Sequence, residues 1–302
     1  MKTMHIVNYK KISLKILLLT SFAITCGIIG SLSFENSFAH NFSPDESAEF
    51  LTTVDKIKVE SAIVANSSAN NNQSSAISHA QYALNTYDSH TNDELSEKNE
   101  RIATELNNTL NQLQDQVETS SITDKSQINQ IVETINAILE EAISVRIDDD
   151  QLNNSTIQAL VFADIVNTAL QSYGTAFDIG IDLTNMSNMN TTTSSTGNNT
   201  IDNGHNNHKL QNTTEQMSIV NLSSYESALS FADYALKKFN SDIKTSIPEN
   251  NTKTQNFLKQ LDNGLLEFNT AIKNHENPMK VMKIVHTKIH PNLQILFTLK
   301  SK

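Results

Sequence analysis

Cysteine, tryptophan, glycine and proline are scarce in this chain: one cysteine, no tryptophan, seven glycines and four prolines in 302 residues. The single cysteine, Cys26, lies in an apolar N-terminal stretch. Without that stretch the chain has no disulfide, no thiolate metal site and no cysteine nucleophile, and its stability has to come from packing. So few glycines and prolines argue against a turn-rich β-protein, which leaves helices. The usual signatures of catalysis are absent too. There is no Gly-rich phosphate loop, no G-x-S-x-G, and no Glu-x-x-His pair of the di-iron bundles, so an enzyme is not expected. Positive charge is also short, 22 Lys and Arg against 33 Asp and Glu, for a net charge of -11. Loss of residues 1–39 would remove four lysines and one glutamate and carry the charge from -11 to -14. A chain this acidic has no footprint for nucleic acid.

What is present begins with a leader. Lys2, Lys10, Lys11 and Lys15 precede residues 16–34, which carry no charge. A basic flank before an apolar run is the layout of an exported protein's N-terminus, and the run is long enough to be either a signal peptide or a membrane anchor. Ser37 and Ala39 put small residues where a signal peptidase needs them, and a cut after Ala39 leaves His40 first. Under either reading the bulk of the chain lies outside the cytoplasmic membrane, secreted or anchored through the N-terminal segment. Ala23, Ile24 and Thr25 make a poor lipobox before Cys26.

The rest reads as helix after helix. Ser43, Pro44 and Glu46 spell a cap, a first helical position and a capping-box partner. Phe50, Val54, Ile57 and Val64 follow as an apolar stripe, up to the Asn/Ser run of residues 66–75. Further helices are expected over 76–87, 92–117, 128–143 (capped by Thr123 or Asp124), 155–173, 224–243, 252–275 and 278–290, the last capped by Asn277. The polar residues 183–216 break the pattern and read as a disordered low-complexity loop. The expectation is an all-α protein of antiparallel helical bundles: leader 1–39, bundle 40–182, loop 183–216, and a helical hairpin or bundle over 217–302 completing the fold. Three nine-residue stretches, at 76–84, 159–167 and 228–236, align without gaps and keep Ala at the first and fifth places. Small residues at that spacing let helices pack closely, and a duplication of two related halves is the alternative.

Histidines and methionines are the candidate ligands. His79 takes the place held by Phe162 and Phe231 in the repeat, on an apolar face; it reads as a satisfied core histidine, or as a ligand or pH-sensing group. His286 and His290 are four apart, the spacing of a two-histidine metal site, but Lys288 stands where a zincin has its glutamate and Pro291 biases His290 away from helical geometry. Met279 and Met282 precede this pair, and Met186 and Met189 sit in the loop with His205 and His208. Thioether with imidazole suits copper, and an N-terminal His40 would add an amine and an imidazole. A copper set of His40, His79, Met282, His286 and His290 is therefore the metal hypothesis. Against it stands the plainer role of Met279 and Met282 as core filler. About a dozen Asn-x-Ser/Thr sequons, among them Asn66, Asn72, Asn107, Asn153 and Asn221, fit a glycosylated surface protein, though an Asn-rich chain also writes them by chance.

The C-terminal stretch over residues 278–293, the opening His40-Asn41-Phe42-Ser43-Pro44, and residues 146–155 together resemble a family of uncharacterised secreted helical proteins of ammonia-oxidising archaea. The resemblance brings no established activity. It implies an archaeal cell envelope, where copper enzymes work outside the membrane. The function expected is a non-catalytic envelope protein with a binding or structural role and a protein partner in the envelope, with extracytoplasmic copper binding as the alternative.

Overall fold

The computed structural model describes residues 45–119, 125–184, 218–247 and 251–300, all within one compact unit, Phe38–Lys302. Every regular element among them is helical: α1 (Glu46–Ala69), α2 (Gln73–Thr86), α3 (Ser89–Thr119), α4 (Lys125–Arg146), the single turn α5 (Asp149–Leu152), α6 (Ser155–Ala176), α7 (Leu222–Lys238), α8 (Thr252–Lys273), α9 (Pro278–Ile284) and α10 (His290–Phe297). The all-α fold expected from composition is therefore present. No helix among the described residues is long and apolar enough to cross a membrane. The leader, the cut site at Ala39, Cys26, His40, Thr123, Asp124, and the loop residues Met186, Met189, His205 and His208 lie outside the described residues.

Asparagine starts five of these ten helices. Its side-chain oxygen accepts from a first-turn N–H that has no partner inside the helix. Asn72 accepts from Ser75 N at 3.2 Å, Asn154 from Thr156 N at 2.9 Å, Asn221 from Ser224 N at 3.0 Å, Asn251 from Lys253 N at 3.0 Å and Asn277 from Met279 N at 2.9 Å. α1 departs from expectation: its cap is Asp45, extended at φ -138° and accepting from Ala48 N at 3.0 Å, so the helix opens at Glu46 and not at Pro44. α3 is broken at Asn99 (φ -160°, ψ 96°), whose side chain accepts from Ile102 N at 3.3 Å and so restarts the helix.

The core has two apolar clusters. One gathers Phe50, Val54, Ile57 and Val64 of α1 with α2, α3 and α4; the other gathers α7, α8, α9 and α10 with most of α6. Two helices belong to both. α1 gives its expected stripe to the first cluster and Val59 and Ile63 to the second, while α6 gives Ile157 and Val161 to the first and Ala159 and the buried apolar residues from Phe162 onward to the second. A helix covered on opposite sides sits between layers, and α1 accordingly buries even Asp55, Glu60 and Ser61. The three repeated stretches all face inward: Ala76 and Ala80, Ala159 and Ala163, and Ala228 and Ala232 are at most 2% exposed.

Two wide π-helical turns extend α7 and α9, over Phe239–Ile243 and Val285–Ile289. The second carries the chain into Pro291. His290 keeps helical angles (φ -57°, ψ -46°), contrary to the bias expected from the proline, because its N–H bonds Val285 O five residues back and the wider turn absorbs the mismatch. α8 crosses this turn at Gly264, where an added Cβ would meet Lys288 Cβ at 3.0 Å. Leu183, the first residue of the expected loop, is instead core: it is 1% exposed and packs on Gly174.

Candidate functional site

His79 is the center of the most elaborate polar arrangement among the described residues. It is fully buried on α2 and held between two helices: its Nδ1 lies 2.6 Å from Glu60 Oε2 on α1, and its Nε2 lies 3.1 Å from Glu226 Oε2 on α7. A serine hydroxyl bonds each carboxylate. Ser227 donates to Glu60 Oε1 at 2.8 Å, and Ser75 donates to Glu226 Oε2 at 2.6 Å. Ser75 has one proton and spends it on Glu226, so Ser67 must donate the 2.7 Å bond between the two serines.

The arrangement resists two familiar readings. A Ser-His-Asp triad needs a hydroxyl on one imidazole nitrogen and a carboxylate on the other; here carboxylates hold both, and the serines bond carboxylates. Nor do the two glutamates and the imidazole converge on a point, since Nδ1 and Nε2 lie on opposite edges of the ring. No group of three or more His, Cys, Asp or Glu among the described residues is arranged to hold a metal ion.

The other ligand candidates sit apart from this center. His286 is 1% exposed and places Nε2 2.9 Å from Leu183 O, pinning the segment after α6 to the C-terminal helices. An imidazole nitrogen facing a carbonyl carries the proton, so that nitrogen is a donor and not a ligand atom. His290 is fully buried, and the two rings pack edge to face with centroids 5.2 Å apart. Met282 is fully buried in the C-terminal apolar cluster. The structure thus keeps His79 on its two glutamates and places His286, His290 and Met282 in packing.

One end of the His79 network opens to a cleft. A hollow of about 500 Å³ runs between α1 and α7, lined by Val59, Ala62, Ile63, Ser67, Glu226, Leu229 and Tyr234 among others. The size is that of a small-ligand pocket. Glu226 belongs to both network and cleft. Its Oε2 takes both bonds, from His79 and Ser75, while Oε1 takes neither, and the side chain is 27% exposed. At the far end Tyr234 donates to Asp55 Oδ1 at 2.7 Å, and burial, then the Asp55 charge, raises its phenol well above the ordinary value. A second hollow of about 420 Å³ adjoins Asp55, Lys238 and Asp242, but Lys238 bridges both acids there, at 3.3 and 3.2 Å.

Sequence reasoning singled out His79 but missed Glu60 and Glu226. Glu60 follows Lys56 and Lys58 and resembles a solvated face, and Glu226 lies 147 residues from the histidine it meets. The only local signal was a histidine in a slot where its two repeats have phenylalanine. The chain matches no protein-family model, and it has no match among curated proteins or solved structures.

Proposed function

We propose that this chain is a non-catalytic binding protein of the cell envelope, working outside the membrane behind its leader or anchor, with the α1/α7 cleft as its binding site. The observation that carries the reading is Glu226: one carboxylate oxygen is fixed by His79 and Ser75, and the residue lines a cleft of ligand size. Fixing a recognition group by partners behind it is how binding sites hold polar specificity. The serines favor binding over catalysis, because Ser75 and Ser227 bond carboxylates and neither is paired with the imidazole of His79, whose two nitrogens are both taken by glutamates. The basic flank and apolar run at residues 2–34 support the envelope location.

Since the chain has no tryptophan, a single Ala62→Trp substitution at the exposed lip of the cleft gives an unambiguous fluorescent reporter. Small-molecule extracts of the native cells should shift its emission saturably and raise the midpoint of thermal unfolding of the unsubstituted chain. Failure of both signals across all fractions would reject the cleft as a binding site. Labeling of the chain's lysines on intact cells by a membrane-impermeant reagent tests the location, and labeling only after lysis would overturn it.

A further inference from the structure

We infer that the cleft selects a small organic cation, a primary ammonium with a short apolar tail, and that Glu226 Oε1 is its counter-ion. The inference deepens the binding reading above and rests on it.

Charge bookkeeping within the network leads to this class. Each of the two contacts between His79 and a glutamate needs one proton between its heavy atoms. Two carboxylates and one imidazole sharing two protons carry a single negative charge, whether the protons sit on the ring or one sits on a carboxyl. The serine hydroxyls add none. That charge has its only outlet where Glu226 meets the cleft, because Glu60 is 4% exposed and His79 fully buried. A ligand of one positive charge completes the balance, and an anion meets repulsion.

The other charges around the cleft leave this field in place. Asp233 is already met by Lys273 at 2.8 Å and by Asn269 at 2.7 Å. Lys237 lines the far end of the cleft, exposed and eleven residues along α7 from Glu226; the two backbones stand about 16 Å apart at ~1.5 Å per residue, about twice the ~8 Å over which physiological salt leaves surface charges coupled. Val59, Ile63 and Leu229 supply apolar surface beside the carboxylate. An ammonium needs an acceptor and a desolvated tail needs such a wall, and together these describe an alkylammonium better than a bare metal ion, for which one carboxylate oxygen is a poor ligand set.

The test titrates the full chain carrying Ala62→Trp with butylammonium, butanol and butanoate, which share a tail and differ in charge. Saturable binding of butylammonium alone, weakened at least tenfold by Glu226→Gln, is the expected result. Glu226→Gln keeps the side chain's volume and its acceptor oxygen, and the midpoint of thermal unfolding of each variant reports whether it is folded. If butylammonium does not saturate, or binds Glu226→Gln equally well, the cation assignment is overturned. Butanoate or butanol saturating the reporter in its place would remove the cation while leaving the binding reading intact. Silence from all three probes and from the cell extracts would remove both.

Discussion

Replacement of His79 by phenylalanine, the residue at the matching place of the other two repeats, separates the energetics of the buried network from those of packing. Phe162 and Phe231 are 0% and 2% exposed in their helices, so the ring itself suits the position. The cost arises from what His79→Phe leaves behind. Glu226 can be rehydrated from the cleft, but Glu60 is 4% exposed and would keep only the Ser227 hydroxyl. Removing one partner of a buried charged pair costs about 3–5 kcal/mol. Removing both partners in favor of apolar groups is often neutral or better, against which the orphaned Ser227 hydroxyl costs about 1–3 kcal/mol. The single substitution should therefore lose about 3–5 kcal/mol in urea unfolding followed by ellipticity, and Glu60→Leu/His79→Phe should return to within about 2 kcal/mol of the parent. Unless Glu60→Leu is itself stabilizing, the two changes are then coupled by at least about 1 kcal/mol, above the ~0.5 kcal/mol within which independent sites add. A loss under about 1 kcal/mol for His79→Phe, or strict additivity with Glu60→Leu, would refute the account of Glu60 as a charge that depends on the imidazole.

Other consequences follow from the packing. Gly264→Ala gains about 1 kcal/mol of helix propensity but forces a Cβ to 3.0 Å from Lys288 Cβ, and overpacking of about 1–3 kcal/mol should win; a more stable variant in urea would show that α8 and the π turn can part freely. Burial lifts the Tyr87 phenol to about 12 from its ordinary 10.0. The unfolded chain then ionizes first, so stability is fully present below pH 10 and falls as pH rises from 10 toward 12, a decline that Tyr87→Phe should soften in alkaline titrations of the unfolding midpoint. His286→Ala opens a cavity and leaves Leu183 O without its donor, for a loss of about 3–5 kcal/mol, while copper uptake by the chain beginning at His40 should not change. Copper affinity lost in a His286→Ala variant that is still folded would return that histidine to the metal hypothesis.

The parts legible in the sequence are those written locally. Apolar spacing located α4, α6 and α8 to within a few residues, Asn277 announced its own cap, and the Phe/His alternation of the repeat marked His79 as inward. Features that depend on a distant partner were not legible. Val59 and Ile63 lie off the main stripe of α1 and read as scattered residues until α6 and α7 cover them. The break at Asn99 rests on one side chain choosing a backbone N–H over solvent, a choice that leaves the apolar period of α3 undisturbed. Asp45 displaced Ser43 as cap for a similar reason, both being good cap residues two positions apart.

The asparagine caps also bear on the sugar chemistry that the sequons suggest. A cap followed by small hydroxyl residues of a first helical turn spells Asn-x-Ser/Thr, as Asn72-Gln73-Ser74, Asn154-Ser155-Thr156 and Asn221-Leu222-Ser223 do, so helix initiation itself writes part of the sequon count. The capping atom is Oδ1, whereas an N-linked glycan is carried on Nδ2. A sugar at exposed Asn72 would leave the entrance of α2 hydrogen-bonded as it is, and would stand at the corner between α1 and α2 as a hydrated post on the protein's surface.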